Sequence, residues 1–226
     1  MILFPIGLRQ LKTGIAAGVQ MFSLRLPLFA LVLVLFSFAG VNHCVADSAG
    51  ADGILPSKLL TITVEDSSGK TVAPFSGHRK AVCLIFISTV CPISNSYAPE
   101  ISRISNQYLR SNIVTYAVVT DGNIKSADVD AYKSEYRLTC PVLWDRDHVL
   151  VKASTTAVTP EAVVYDSHLH MIYRGRIDNR YVDFGISREA ATERDLRHIL
   201  NEASTKSTVQ FTESKAIGCF IPMDAS

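Results

Sequence analysis

The sequence contains no Cys-x-x-Cys pair. The spacing of its five cysteines (Cys44, Cys83, Cys91, Cys140, Cys219) matches neither a zinc site nor a haem attachment motif. It has no basic run and no interleaving of basic with aromatic side chains, which speaks against a nucleic-acid partner. There is one tryptophan and no internal repeat. The only long apolar run, Leu26–Gly40 (LPLFALVLVLFSFAG), holds fifteen uncharged residues, short of the roughly 20 that a bilayer-spanning helix needs.

That run has the length of a secretory apolar core. Arg9, Lys12 and Arg25 precede it, and Cys44-Val45-Ala46 suits a cleavage site. The expectation is a signal peptide over residues 1–46, with Met21 as an alternative start and an uncleaved membrane anchor as the competing reading. Asn42 and His43 are poor neighbours for lipid attachment at Cys44. The predicted location is therefore the periplasm or cell envelope. Removing 1–46 takes away three basic residues and no acidic one, so the formal charge moves from +1 to −2.

With 226 residues, 48% hydrophobic and 19% charged, the chain is globular and has room for one substantial domain plus appendages. Four cysteines remain after cleavage. In an oxidising compartment they can pair in three ways, and spacing does not choose among them.

Beyond a linker at 47–56, KLLTITVEDSSGKTVAPF alternates around Ser-Ser-Gly and reads as an N-terminal hairpin. AVCLIFI (81–87) is a continuous apolar run, as expected of a central strand covered on both faces. Ile93, Tyr97, Ile101, Ile104 and Tyr108 recur at helical spacing and predict an amphipathic helix from 92 to about 109. IVTYAVVTD is a second strand, SADVDAYKSEYRL a helix opened by Ser126, and PVLWD a short strand. AVTPEAVVYD and HMIYRGRID form two strands joined at Ser167-His168. TERDLRHILNEA is a closing helix, with Thr192 and Asp195 at capping-box spacing. This order predicts an α/β fold, a mixed sheet with helices on both sides. The tail, 204–226, carries Cys219 and little periodicity.

A strand running into Cys91-Pro92, and a Thr159-Pro160 just before a later strand, resemble the thioredoxin-like fold. FISTVCPIS is similar to strand-to-helix loops of the type FWATWCPPC. Pro99 falls where that family kinks its active-site helix, and Val158-Thr159-Pro160 matches its cis-proline loop. The resemblance covers 57–203 and is nearest to exported redoxins of the alkyl hydroperoxide reductase/thiol-specific antioxidant superfamily, with a redoxin-type insertion before the proline loop. YRGRIDNR and KAIGC are similar to a bacterial redoxin subgroup.

A thiolate, not a thiol, attacks a disulfide, and the unpaired N–H groups at a helix start favour the charged sulfur. Cys91 is thus the candidate nucleophile. Pro92 suits the first helical position, and Thr89 and Ser94 have hydroxyls that can donate to the sulfur. The resemblance implies that Pro160 is cis beside Cys91 and that Thr159 offers its backbone to an extended substrate. Glu161 is the nearest candidate proton shuttle, against a solvated loop carboxylate. Ser94 stands where the second cysteine of Cys-x-x-Cys would be, so a mixed disulfide must be resolved elsewhere. Cys219 is the favoured internal resolver and Cys140 the second choice, with a static disulfide as the alternative. Cys83 reads as core.

The peroxidase pattern PxxxTxxC is met by Ser88 in the threonine place and missed by Leu84 in the proline place. No cofactor and no metal is expected, since His168 and His170 read as a solvated turn. Three functions remain open: an exported thiol–disulfide oxidoreductase acting on protein or small-thiol disulfides with an external reductant, a thiol peroxidase, and a redox-inactive strand-binding module.

Overall fold

A computed structural model describes residues 55–223. The expected signal segment and most of the linker lie outside the described residues. In chain order the elements are α1 (Pro56–Leu59), β1 (Val64–Asp66), β2 (Thr71–Val72), β3 (Ala81–Ile87), α2 (Pro92–Tyr108), β4 (Ile113–Val119), α3 (Ser126–Glu135), β5 (Val142–Trp144), α4 (Val149–Ser154), β6 (Val158–Thr159), β7 (Glu161–Asp166), β8 (Met171–Gly175), β9 (Tyr181–Asp183), β10 (Ile186–Ser187), α5 (Asp195–Thr205), β11 (Thr212–Glu213) and β12 (Cys219–Phe220).

Eight strands form one mixed sheet in the order β11-β8-β7-β3-β4-β5-β1-β2. Its centre is β3, buried at every residue because both neighbours and both faces are covered. It pairs parallel with β4, from Ala81↔Ile113 to Ile87↔Val119, and antiparallel with β7. The parallel pair needs a crossover, and α2 supplies it.

Successive side chains of β3 enter different cores, as the two-residue period of a strand requires. Cys83, Ile85 and Ile87 pack with Ile101 and Ile104 of α2 and Leu196, Ile199 and Leu200 of α5. Val82, Leu84 and Phe86 pack with Leu59, Phe75, Leu150 and Val151 on the opposite face. Helices therefore flank both sides of the sheet, and the expected thioredoxin-like α/β architecture is borne out.

Several local expectations are corrected. Lys58 and Leu59 are helical, so the N-terminal hairpin is only β1–β2. Its turn is closed by Asp66, whose carboxylate accepts the Ser68 and Lys70 N–H groups, with Gly69 at φ +81°. Helix α4 lies between PVLWD and the proline loop; at six residues it is too short to show a helical period. Its start is held by the buried Asp145 carboxylate, which accepts the Leu150 and Val151 N–H groups.

Thr192 does not cap α5. The Thr192 and Glu193 N–H groups go to Asn179 Oδ1, and Arg176 takes Asp195 instead. At α3 the cap is Asp128, accepting the Lys125 N–H, while the Ser126 hydroxyl reaches Ser67 O. Residues 204–223, expected as a tail, contribute two strands. β11 runs parallel to β8 at the sheet edge, and β12 pairs with β6.

Candidate active site

Strand β3 delivers the chain into the loop Ser88–Val90, and Cys91 is the N-cap of α2 with Pro92 in the first turn. Proline costs nothing there, because the first helical N–H groups have no partner inside the helix. The loop is pinned from β4. Asp121 accepts the Ser88 hydroxyl at 2.7 Å and the Thr89 N–H at 2.6 Å, and its own carbonyl accepts Trp144 Nε1 at 3.0 Å. The Thr89 carbonyl takes Asn95 Nδ2, and Asn95 Oδ1 takes the Tyr132 hydroxyl. Asp121 was not a sequence-level candidate, because nothing local marks a residue 33 positions from its partner.

The Cys91 residue is only 1% exposed. As a thiol it donates to the Thr159 carbonyl at 3.2 Å. The Cys219 sulfur lies 2.7 Å from the Cys91 sulfur, and the two are separate thiols. That spacing exceeds a disulfide bond of about 2.05 Å. Burial pushes the Cys91 thiol up, but hydrogen bonds from the Cys219 thiol and from the Ser94 N–H and hydroxyl outweigh it, and the net direction is down. The Thr159 carbonyl opposes the charge as a single acceptor against several donors. Cys219 moves the other way, to about 11, through burial first and then the hydrogen bond to Cys91 and its charge. Cys91 is thus the more readily ionised sulfur of the pair, and Cys219 the one that keeps its proton.

Each expected residue has a place. The Thr159–Pro160 bond is cis. Thr159 is both the acceptor for Cys91 and the antiparallel partner of Cys219. Ser94 is fully buried; its hydroxyl accepts the Ser88 N–H at 3.4 Å, and its N–H and hydroxyl both act to lower the Cys91 pKa. Thr89 acts through its backbone, held by Asp121, and not through its hydroxyl. Glu161 is not with the sulfurs. It shares its face of β7 with Val163 and Tyr165, which belong to the core opposite the one containing Cys91. Burial raises the Glu161 pKa, partly countered by the Ala157 N–H.

Cys140 is buried against the Ala117 backbone, its pKa raised to about 11 by burial, and close enough to Cys83 to influence it. It is not brought to Cys91. Cys83 is core, raised to about 12 by burial.

The tail reaches Cys91 through anchors on either side of Cys219. Upstream, Glu213 pairs with Arg174, and the Ser214 hydroxyl meets the Tyr173 hydroxyl at 2.7 Å. Downstream, the Ile221 N–H donates to Ala157 O at 3.0 Å, and its side chain, 6% exposed, enters the second core.

Asp178 and Arg180, in the polar segment after β8, brace α2. The Asp178 carboxylate accepts the Tyr97 hydroxyl at 2.5 Å, and Arg180 lies over the Tyr97 ring and donates to Ser96 O. Both Asp178 and Asn179 are buried. Among the described residues no cluster of His, Cys, Asp or Glu is arranged to hold a metal. Both histidines of the β7–β8 turn are exposed, with ring centres 6.2 Å apart.

No protein-family model and no curated protein matches the chain. Solved structures do. A hypothetical protein from Sinorhizobium meliloti 1021 is 22% identical with a TM-score of 0.61, covering 73% of this chain and 92% of that one. An uncharacterized conserved protein from Geobacillus kaustophilus is 22% identical with a TM-score of 0.63, covering 73% and 89%. A secreted Mycobacterium tuberculosis disulfide oxidoreductase, 18% identical, aligns over 65% of this chain and 97% of its own with a TM-score of 0.47. What the first two similarities establish is the shared fold.

Proposed function

We propose that this chain is a thiol–disulfide oxidoreductase whose redox pair is Cys91 and Cys219. The single observation that carries the reading is the 2.7 Å approach of the two sulfurs, made with opposite shifts of their acidities. In the reduced protein the Cys91 thiolate attacks a partner disulfide. A bond forms between Cys91 and one partner sulfur, and the other partner sulfur leaves as a thiolate. Cys219 gives up its proton to solvent and attacks Cys91. The intramolecular disulfide forms, and the second partner sulfur leaves as a thiolate.

An external reductant then restores the dithiol. Its thiolate attacks Cys219, the more exposed sulfur of the pair. Cys91 departs, and a lower pKa makes it the faster leaving group. A second reductant thiol completes the reduction. Ser94, in place of a nearby second cysteine, acts as a hydrogen-bond donor to the thiolate. Disulfide exchange is favoured over peroxide reduction because the Ser88 hydroxyl, in the peroxidase threonine place, is committed to Asp121.

The partners in this reading are a disulfide-bearing protein or small molecule and an external thiol reductant. Export, expected from residues 1–46, would place the chain in an oxidising compartment, where such exchange has substrates. No described helix is long and apolar enough to cross a membrane.

Dithiothreitol-driven reduction of a model protein disulfide tests the proposal. Wild type turns over, Cys91→Ser is inactive, and Cys219→Ser, lacking the internal resolving thiol, accumulates a mixed disulfide at Cys91 when the reductant is limiting. Full turnover by Cys91→Ser would overturn it.

A further inference from the structure

The edge of β6 beside Cys91 is occupied by an extended strand carrying a cysteine. That strand is the chain's own β12, in the register Cys219↔Thr159 and Phe220↔Val158, continued by Ile221 N–H to Ala157 O. While it is there, Cys91 has no room for another sulfur. If Cys91 attacks an external disulfide, as the exchange reading requires, the partner sulfur must take the place of Cys219, and the chain around it must meet the same edge.

We propose that residues 218–221 occupy the binding site of an external cysteine-bearing strand, and that the site selects glycine immediately before the cysteine and a branched apolar residue two positions after it. This rests on the exchange reading and names its substrate class.

Three features of the occupied site set the preference. A Cβ on Gly218 would be driven into the Thr159 carbonyl and would lie 3.0 Å from Pro160 N. Those are backbone atoms of the loop that holds Cys91, and they do not swing aside as a flexible side chain would. Ile221 is buried among the residues of the second core, so the position two after the cysteine sits in an apolar socket. Phe220, between them, is 79% exposed, so the position directly after the cysteine is unread. The tail and the partner compete for one edge. The tail's return, which carries Cys219 to the mixed disulfide, removes the partner strand as it resolves the bond.

The test uses the full chain carrying Cys219→Ser and the octapeptide KAIGCFIP, its cysteine activated as a mixed disulfide with thionitrobenzoate. The Cys91 thiolate forms a bond to the peptide sulfur, the peptide–thionitrobenzoate bond breaks, and the electron pair leaves on the coloured aromatic thiolate. The expected result is that KAIACFIP and KAIGCFSP each react about tenfold or more slowly than the parent, while KAIGCSIP reacts within about twofold of it.

Adding Gly218→Ala, which pushes the chain's own tail off the edge, is expected to speed trapping of the parent peptide. Equal rates for all four peptides would overturn the proposal and leave the exchange reading intact, provided the small reagent dithionitrobenzoate still modifies Cys91. Failure of that reagent to modify Cys91 in the Gly218→Ala protein would instead overturn the exchange reading itself.

Discussion

Thr159 addresses both sulfurs of the site at once: its carbonyl accepts the Cys91 thiol at 3.2 Å, and its backbone is the antiparallel partner of Cys219. Two cysteines 128 positions apart are thereby brought together by one residue of a two-stranded ribbon. Several measurable consequences follow from that arrangement.

The Cys91 thiolate is expected to form at a pH below the free-cysteine value of about 8.5, because the Cys219 thiol and Ser94 donate to it against the penalty of burial. Thiolate ultraviolet absorbance, titrated in the reduced protein with Cys91→Ser as the blank, checks this. Ser94→Ala and Cys219→Ala each remove a donor, and each is expected to move the transition upward.

Core cysteines make the protein alkali-sensitive. Cys83 is raised from 9.0 to about 12 and Cys140 from 9.0 to about 11, both by burial. Above pH 9 the unfolded chain loses these protons while the folded chain keeps them. Stability is therefore complete below the unfolded value and falls as pH rises toward the folded values, by about 1.4 kcal/mol for each pH unit and thiol. Cys83→Ala is expected to cost about 1–2 kcal/mol at neutral pH through the cavity it leaves, and to flatten the alkaline decline. Urea unfolding at a series of pH values reads both effects.

Asp121 holds the active loop through two charge-assisted hydrogen bonds. Asp121→Ala leaves the Ser88 hydroxyl and the Thr89 N–H without that partner, and is expected to destabilise by about 1–3 kcal/mol. Asp121→Asn keeps an acceptor for one of them and is expected to cost less. Chemical denaturation measures the difference.

Docking of Ile221 is expected to control access to Cys91. Ile221→Ala removes most of a side chain that is 6% exposed, a loss of about 2 kcal/mol or more. Release of the tail is a local opening that leaves the sheet intact. Iodoacetamide modification of Cys91 is expected to accelerate by about tenfold or more, while the thermal midpoint moves little. Equal modification rates in wild type and variant would show that the tail is no gate.

Much of this was legible from the chain itself. AVCLIFI is unbroken by polar residues because both of its faces are covered, and that alone places the central strand. Ile93, Tyr97, Ile101 and Ile104 repeat at helical spacing because one face of α2 lies on the sheet. Cys91, Pro92 and Pro160 stand out because their roles are local: a helix start and a turn.

What stayed hidden depends on distance or brevity. The strands that hold Cys219 are two residues long, too short for any period, and their pairing is decided by Ile221 finding the second core. Nothing local marks Asp121 or Asp178, because their partners, Ser88 and Tyr97, lie on other elements. Glu161, a candidate proton shuttle because it follows Pro160, or else a solvated loop carboxylate, is neither beside Cys91 nor solvated. The strand's alternation sends it to the opposite face.

The most direct measurement is disulfide mapping by mass spectrometry of the full chain after oxidation with glutathione disulfide. The account predicts one intramolecular bond, Cys91 to Cys219, with Cys83 and Cys140 remaining as thiols. A bond from Cys219 to Cys140, or Cys91 left free while the other cysteines pair, would contradict it.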